Sequence, residues 1–172
     1  MFLPGDRCSW AASLNKMERL KPFIIPGFCL RCQGCCRFAE QETVWTPHLL
    51  EDEQIRLAPH TKKIELRANP AQGNFVCQFL NQKDNRCKIH GIHPFECQLY
   101  PFLINRQGKK VYLSVDLRCL YMKENTDLAR YKDYCEYLNT FFNSPEVKKN
   151  LKANPQLVQS YVHVLDIFEI ML

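Results

Sequence analysis

The chain has 172 residues, of which 46% are hydrophobic, 12% aromatic and 24% charged. This is too core-like for a disordered chain, and ten prolines with six glycines are too few for a fibrous or low-complexity one. The 23 Lys and Arg against 18 Asp and Glu leave a net charge of +5, a modest excess without a basic stripe that argues against nucleic-acid binding.

The opening MFLPGDRCSW lacks the basic stretch and apolar run of a secretory signal, so a reducing, cytoplasmic compartment is expected. A short helix is expected over about residues 11–20, with Pro22 and Pro26 preventing its continuation. Thr46 and Pro47 read as an N-cap and first helical position, opening a helix that runs to about Leu57. In that helix Glu51, Asp52 and Glu53 read as solvated charges near its positive end. From Lys63 the pattern changes to short alternating runs, and KIELRA, FVCQFL, FLIN and KVYLSVDL read as strands. The last two form a hairpin turning at Gly108, and NQKDNR reads as a polar turn.

Pro94 can open a helical turn through Glu96, Cys97 and Gln98 that Pro101 stops. Beyond Cys119, Thr126 reads as the cap of a helix with Leu128, Tyr131, Cys135, Leu138 and Phe142 on its apolar face. Cys135 on that face reads as a packing residue. Ser144–Pro145 and Asn154–Pro155 resemble two further helix starts. The apolar stretch over 157–172 is broken by Gln159, Ser160, His163, Asp166 and Glu169, which makes it an amphipathic terminal helix rather than a membrane span. The expected fold is a single α+β domain over 1–172. A short antiparallel sheet and irregular loops surround a metal-binding core at about 28–120, with flanking helices and a helical segment at about 125–172.

Ten cysteines are the unusual feature. Four of them, Cys29, Cys32, Cys35 and Cys36, form the run C-x2-C-x2-C-C, and Cys77, Cys87, Cys97 and Cys119 follow on expected loops and element ends. A disulfide framework is disfavoured by the compartment and by the adjacent pair Cys35–Cys36, which cannot bridge without strain. Three cysteines at x2 steps can wrap one centre, as in bacterial ferredoxins, where a fourth comes from further along the chain. Gly34 is expected to relieve backbone crowding in that loop. Neighbouring side chains on an extended backbone point to opposite sides. Either the chain therefore bends sharply at Cys36, or Cys36 serves a second centre.

Eight thiols suffice for two four-ligand sites, one built on Cys29, Cys32 and Cys35 with one remote cysteine, the other on Cys36 with the remaining three. Spacing does not say which remote thiol goes where. His90 and His93 have zinc-like spacing to Cys87 and Cys97 but are not needed for the count. Cys8 reads as incidental.

These residues resemble a family. The cysteine run, the segment Cys77 to Leu80, Cys87-x-Ile, the stretch Pro94-x2-Cys97-x2-Tyr100-Pro101-Phe102 and Cys119 are similar to the CxxCxxCC, or YkgJ-like, cysteine-cluster proteins. The resemblance spans about 28–120 and implies zinc or iron chelation. It departs at His93–Pro94, where the family often has Arg-Pro, and at Cys119–Leu120–Tyr121, where it often has Cys-Pro-Gly.

The leading functional expectation is an iron–sulfur protein carrying one or two [4Fe–4S] clusters in a redox, electron-transfer or accessory role, with a protein partner and neither nucleic acid nor membrane. The alternatives are a structural zinc module for protein–protein interaction or a metal-delivery chaperone. No catalytic motif identifies an enzyme. Each four-thiolate centre carries a net charge of about −2, so two of them would bring the formal +5 close to neutral.

Overall fold

The computed structural model describes residues 17, 20–32 and 34–172, without the side chains of Pro26 and Cys29. The expected helix over residues 11–20 and Cys8 lie outside the described residues except for Met17 and Leu20, which are buried. The architecture is α+β. In chain order it runs α1 (Pro26–Cys29), β1 (Arg37–Phe38), α2 (Glu51–Leu57), β2 (Leu66–Asn69), β3 (Asn74–Cys77), β4 (Leu80–Asn81), β5 (Arg86–Cys87) and α3 (Phe95–Leu99). There follow β6 (Phe102–Gln107), β7 (Lys110–Val115), α4 (Leu120–Asn125), α5 (Ala129–Phe142), α6 (Pro145–Ala153), a 3-10 turn (Pro155–Leu157) and β8 (Leu165–Glu169).

The strands make three small antiparallel sheets, ordered β1-β3-β2, β4-β5 and β6-β7-β8. The β6–β7 hairpin pairs Gln107 with Lys110, and Gly108 supplies the positive φ of +58° that its tight turn requires. Two apolar clusters result. The larger joins Phe23, Phe95, Leu99, Phe102, Leu113, Met122, Leu138, Phe142, Val147, Leu157 and their neighbours from the third sheet and the C-terminal helices. The smaller holds Leu49, Leu57, Ile64 and Ile89, with Cys77, Phe79, Cys87 and Ile92 packed against it.

Three helix starts were sited differently by sequence and by structure. Thr46–Pro47 does not open α2; the chain stays extended until Leu50, so that Leu49 and Leu50 are buried. The Leu50 N–H then donates to the Glu53 carboxylate at 3.0 Å. Thr126 closes α4 rather than opening α5, which begins at Ala129. Ser144–Pro145 does start α6, while Asn154–Pro155 opens only a 3-10 turn.

The largest correction concerns residues 157–172, which are not a helix. Helices α4, α5 and α6 make the C-terminal region helical, but the chain ends by adding β8 to the free edge of β7, burying Ile170. Ladder hydrogen bonds at an open edge satisfy backbone groups that a solvent-facing helix would satisfy only within itself, and this tertiary gain outweighs a weak helical period. Among the described residues no helix is long and apolar enough to cross a membrane.

Phe102 is 1% exposed and its ring lies 5.9 Å from Phe23 and 5.3 Å from Tyr134. Phe102→Ala should cost about 3–5 kcal/mol in denaturant unfolding, whereas Leu165→Ala, on the exposed face of β8, should stay within about 0.5 kcal/mol.

Candidate metal centre

The site begins at the turn after α1. Cys36 has φ of +61°, a left-handed conformation that an ordinary residue adopts at a cost of about 1–2 kcal/mol. The sharp bend is thus at Cys36. Gly34 relieves little, since a Cβ there would sit 3.5 Å from the Cys32 sulfur, an ordinary contact. The bend is held on both sides. On one, the Cys77 N–H donates to the Cys36 carbonyl at 2.9 Å, one step beyond the Arg37–Val76 pair of β1 and β3. On the other, the Asn85 amide, in the turn joining β4 to β5, donates to the carbonyls of Leu30 and Cys32, while Arg37 donates to the Asn85 oxygen at 2.8 Å.

The thiols then fall into two neighbourhoods. The Cys36 thiol donates a hydrogen bond to the Cys77 sulfur; that bond, burial and the charges of Cys97, Cys77 and Cys35 all push Cys36 well above its usual range. The same bond pulls Cys77 down to about 7, helped by the N–H groups of Phe79 and Leu80 donating to its sulfur. Cys87 opposes Leu80 across the β4–β5 ladder, and its sulfur accepts from the Ile89 N–H while burial and Cys77 raise it. Burial raises Cys97 strongly, reinforced by Cys77, Glu96, Cys87 and Glu53.

Helix α3 explains how Cys97 gets there. Phe95 and Leu99 are 1% and 2% exposed in the larger core, and a residue two positions from each lies on the opposite side of a helix. Cys97 therefore faces the Cys77 and Cys87 side.

The second neighbourhood is on the larger core. Cys119, 7% exposed, precedes α4, and its sulfur accepts from the N–H groups of Tyr121 and Met122. Burial raises its thiol, and Cys32 is the first of the charges that add to the rise. Tyr100 is raised by burial, then by the charges of Cys35, Asp116 and Cys119, and its hydroxyl donates to Asp116 at 3.2 Å.

Among the described residues Cys32, Cys35, Cys36, Cys77, Cys87, Cys97, Cys119 and Cys135 stand outside any disulfide. Cys135 packs, half-buried, against the larger core near Tyr131, as its helical position implied. The Cys29 side chain lies outside the described atoms. His90 and His93 stack on each other at 5.1 Å, and His93 accepts the Gly91 N–H at 3.1 Å. Burial lowers His93 to about 4, so it is neutral near pH 7. Among the described residues no three His, Cys, Asp or Glu side chains already stand close enough together to hold one ion.

The donor set nonetheless fits a soft cation. Four of these thiols resist ionisation in their mutual company, the thiolate is the ligating form, and a cation supplies the charge that the buried sulfurs lack. Backbone N–H groups already aimed at Cys77, Cys87 and Cys119 are the outer hydrogen bonds that orient metal thiolates.

Sequence reasoning missed the residue that joins these parts. Glu53, taken as a solvated helix-end charge, is 1% exposed and accepts from both Leu50 and, at 2.6 Å, the Phe95 N–H, bracketing α2 to the start of α3. The signal was its place at the third position of the helix, where a carboxylate reaches back to the cap N–H. Glu96 likewise accepts from the His48 backbone and, at 3.3 Å, pairs with the His48 ring. A shallow pocket of about 350 Å³ lined by Pro47, His48, Lys62, Lys63 and Gln156 includes no cysteine.

The chain belongs to the CxxCxxCC family. Residues 28–136 match the family model described as "putative zinc- or iron-chelating domain", a span that covers every candidate ligand. No curated protein and no solved structure matches the chain. It is a metal-binding, cysteine-rich domain of the zinc- or iron-chelating kind.

Burial raises Glu53 from 4.5 to about 7, against its hydrogen bonds to Leu50 and Phe95. The folded state then binds more protons than the unfolded one between those values, so this group's contribution is full below pH ~4.5 and is lost as pH rises through ~7. The loss should total roughly 3 kcal/mol, read as the difference in unfolding free energy between wild type and Glu53→Gln across that window, and a constant difference would remove the assignment.

Proposed function

We propose that the chain carries an iron–sulfur cluster of the [4Fe–4S] type on its C-x2-C-x2-C run and works in electron transfer, redox sensing or as an accessory subunit beside a protein partner. The feature that carries this reading is the C-x2-C-x2-C run together with Cys119 far along the chain, whose thiol feels the charge of Cys32, as a ferredoxin triplet takes its fourth cysteine from a distant segment. Cys32, Cys35 and Cys119, with Cys29 from its spacing, would hold the cluster, which supplies one-electron chemistry when bound. The chain's own residues set its surroundings. Burial of Cys119 limits water, and the Tyr121 and Met122 N–H groups donate to that sulfur, both of which tune a cluster's potential. Ile25 and Leu30, 52% and 42% exposed at either end of α1, offer apolar surface to a partner beside it.

Zinc is the second reading, favoured by one contact. Two sulfurs on one ion with Zn–S of about 2.3 Å stand about 3.8 Å apart, and Cys36 and Cys77 are within hydrogen-bonding reach of each other.

Anaerobically purified protein should be brown, absorb in the visible and contain iron and acid-labile sulfide; a colourless protein with zinc and no iron overturns the iron–sulfur reading. Because the ligands come from separate small elements, strong chelation should abolish most of the far-UV circular dichroism of β1–β5 and α3, and an unchanged spectrum after complete metal removal would show that metal contributes nothing to folding.

A further inference from the structure

We infer that the hollow walled by residues 46–49, α2 and residues 62–64 binds a small organic carboxylate with a short apolar body.

The hollow is a consequence of how the chain enters α2. Because residues 46–49 stay extended rather than helical, they stand as a wall beside Gln54 of α2, Gln156 of the 3-10 turn and the segment that leads into β2. The space between them is about 350 Å³, at the lower end of the range in which small-molecule sites fall.

The walls are preformed. The His48 N–H donates to the Glu96 carboxylate, which also meets the His48 ring Nδ1 at 3.3 Å. The Leu49 carbonyl accepts the Gln156 amide at 3.2 Å, and that amide donates as well to Asn154 at 3.2 Å. In the 62–64 segment, the Gln78 amide donates to the Lys63 carbonyl at 3.2 Å and to the Thr61 hydroxyl at 3.0 Å. A ligand therefore meets segments that are already ordered, and binding does not have to immobilise them.

Charge selects the ligand. Lys62 and Lys63 line the hollow and are exposed, and among the described residues no Asp, Glu or Gly lines it. Lys62 has no ion pair among the described residues. Lys63 has a 4.0 Å approach to Glu65, with the two side chains 78% and 55% exposed, a pairing too solvated to neutralise it. The two ammonium groups make a cationic rim, while buried Leu49 and Ile64 together with Pro47 make an apolar floor.

A carboxylate with an apolar body satisfies both at once. Phosphate sites draw on a close array of backbone N–H groups, often in a glycine-rich turn. Here no glycine lines the hollow and the His48 N–H is already given to Glu96. The lysines act as point charges and leave the apolar floor to distinguish an organic anion from an inorganic one. The hollow contains no thiol, but it is tied to the cysteine site, since Glu96, which holds His48, directly precedes Cys97 in α3. The inference is independent of which metal the cysteines hold.

The test is a ligand-observed NMR titration of the full-length protein as purified, with hexanoate, hexanol, hexylamine and inorganic phosphate as probes. Hexanoate should bind saturably with a Kd of about 1 mM, ordinary for so small a ligand. Hexanol and hexylamine should bind more weakly, and phosphate at equal concentration should not displace hexanoate. Lys62→Ala combined with Lys63→Ala, both at exposed positions, should weaken hexanoate roughly fivefold and leave hexanol within about twofold. Gln54→Trp, also at an exposed position, should fill the hollow and weaken both. Should Gln54→Trp misfold, amide shifts on adding hexanoate to wild type replace it; they should centre on His48, Lys62 and Ile64, and shifts elsewhere alone overturn the site. Absence of saturable hexanoate binding, equal binding of hexanol or hexylamine, displacement by equal phosphate, or an unchanged hexanoate affinity in either folded variant overturns the inference.

Discussion

The left-handed turn at Cys36 is the constraint on which the site depends. Two adjacent cysteines cannot serve one ion as ordinary neighbours, and a residue with a Cβ does not enter that conformation without compensation. Here the compensation is structural. The Cys36 carbonyl is pinned by the central strand of the first sheet, the flanking loop is strapped by Asn85, and the thiol is met by Cys77. With that turn made, the Cys36 carbonyl holds the Cys77 N–H and the Cys36 thiol meets the Cys77 sulfur.

The elements around this turn are small. The second sheet exists as two-residue strands, too short to be stable alone, and is held by the smaller apolar cluster and the Asn85 strap. Helix α3 has one turn and is fixed by a buried carboxylate borrowed from α2. Elements this small bury little apolar surface, so metal–thiolate bonds are a natural share of their folding energy. The third sheet and helices α4–α6 are different: they form a conventional packed core rich in edge-on and tilted aromatic pairs, in which Cys119 is buried. Trp45 couples the two regions at the surface, with the Arg118 guanidinium 3.9 Å from its ring and Tyr161 beside it.

Local rules located the elements whose cause is local. The Gly108 hairpin, the Pro94 turn with its stop at Pro101, and the Ser144–Pro145 start depend on dihedral restrictions carried by single residues, and each is where those restrictions put it. Thr46–Pro47 and Thr126 carry the same kind of signal and lost, because burying Leu49 and Leu50 and closing α4 with the chain's next helix were worth more than one cap. Glu53 was legible as a helix-end carboxylate but not as a buried bracket, since its second partner, Phe95, comes from a distant segment.

The sequence by itself determined the chemistry: a soft, thiol-rich donor set, the C-x2-C-x2-C-C run, an α+β scaffold and membership of a metal-chelating family, all of which follow from residue type and short spacing. Only the tertiary structure decided that Cys36 meets Cys77, and that the chain ends in a strand rather than a helix. Both are contacts between segments far apart in the chain. The free energy of such contacts depends on which surfaces are left unpaired once everything else has folded, and no local window of residues records that.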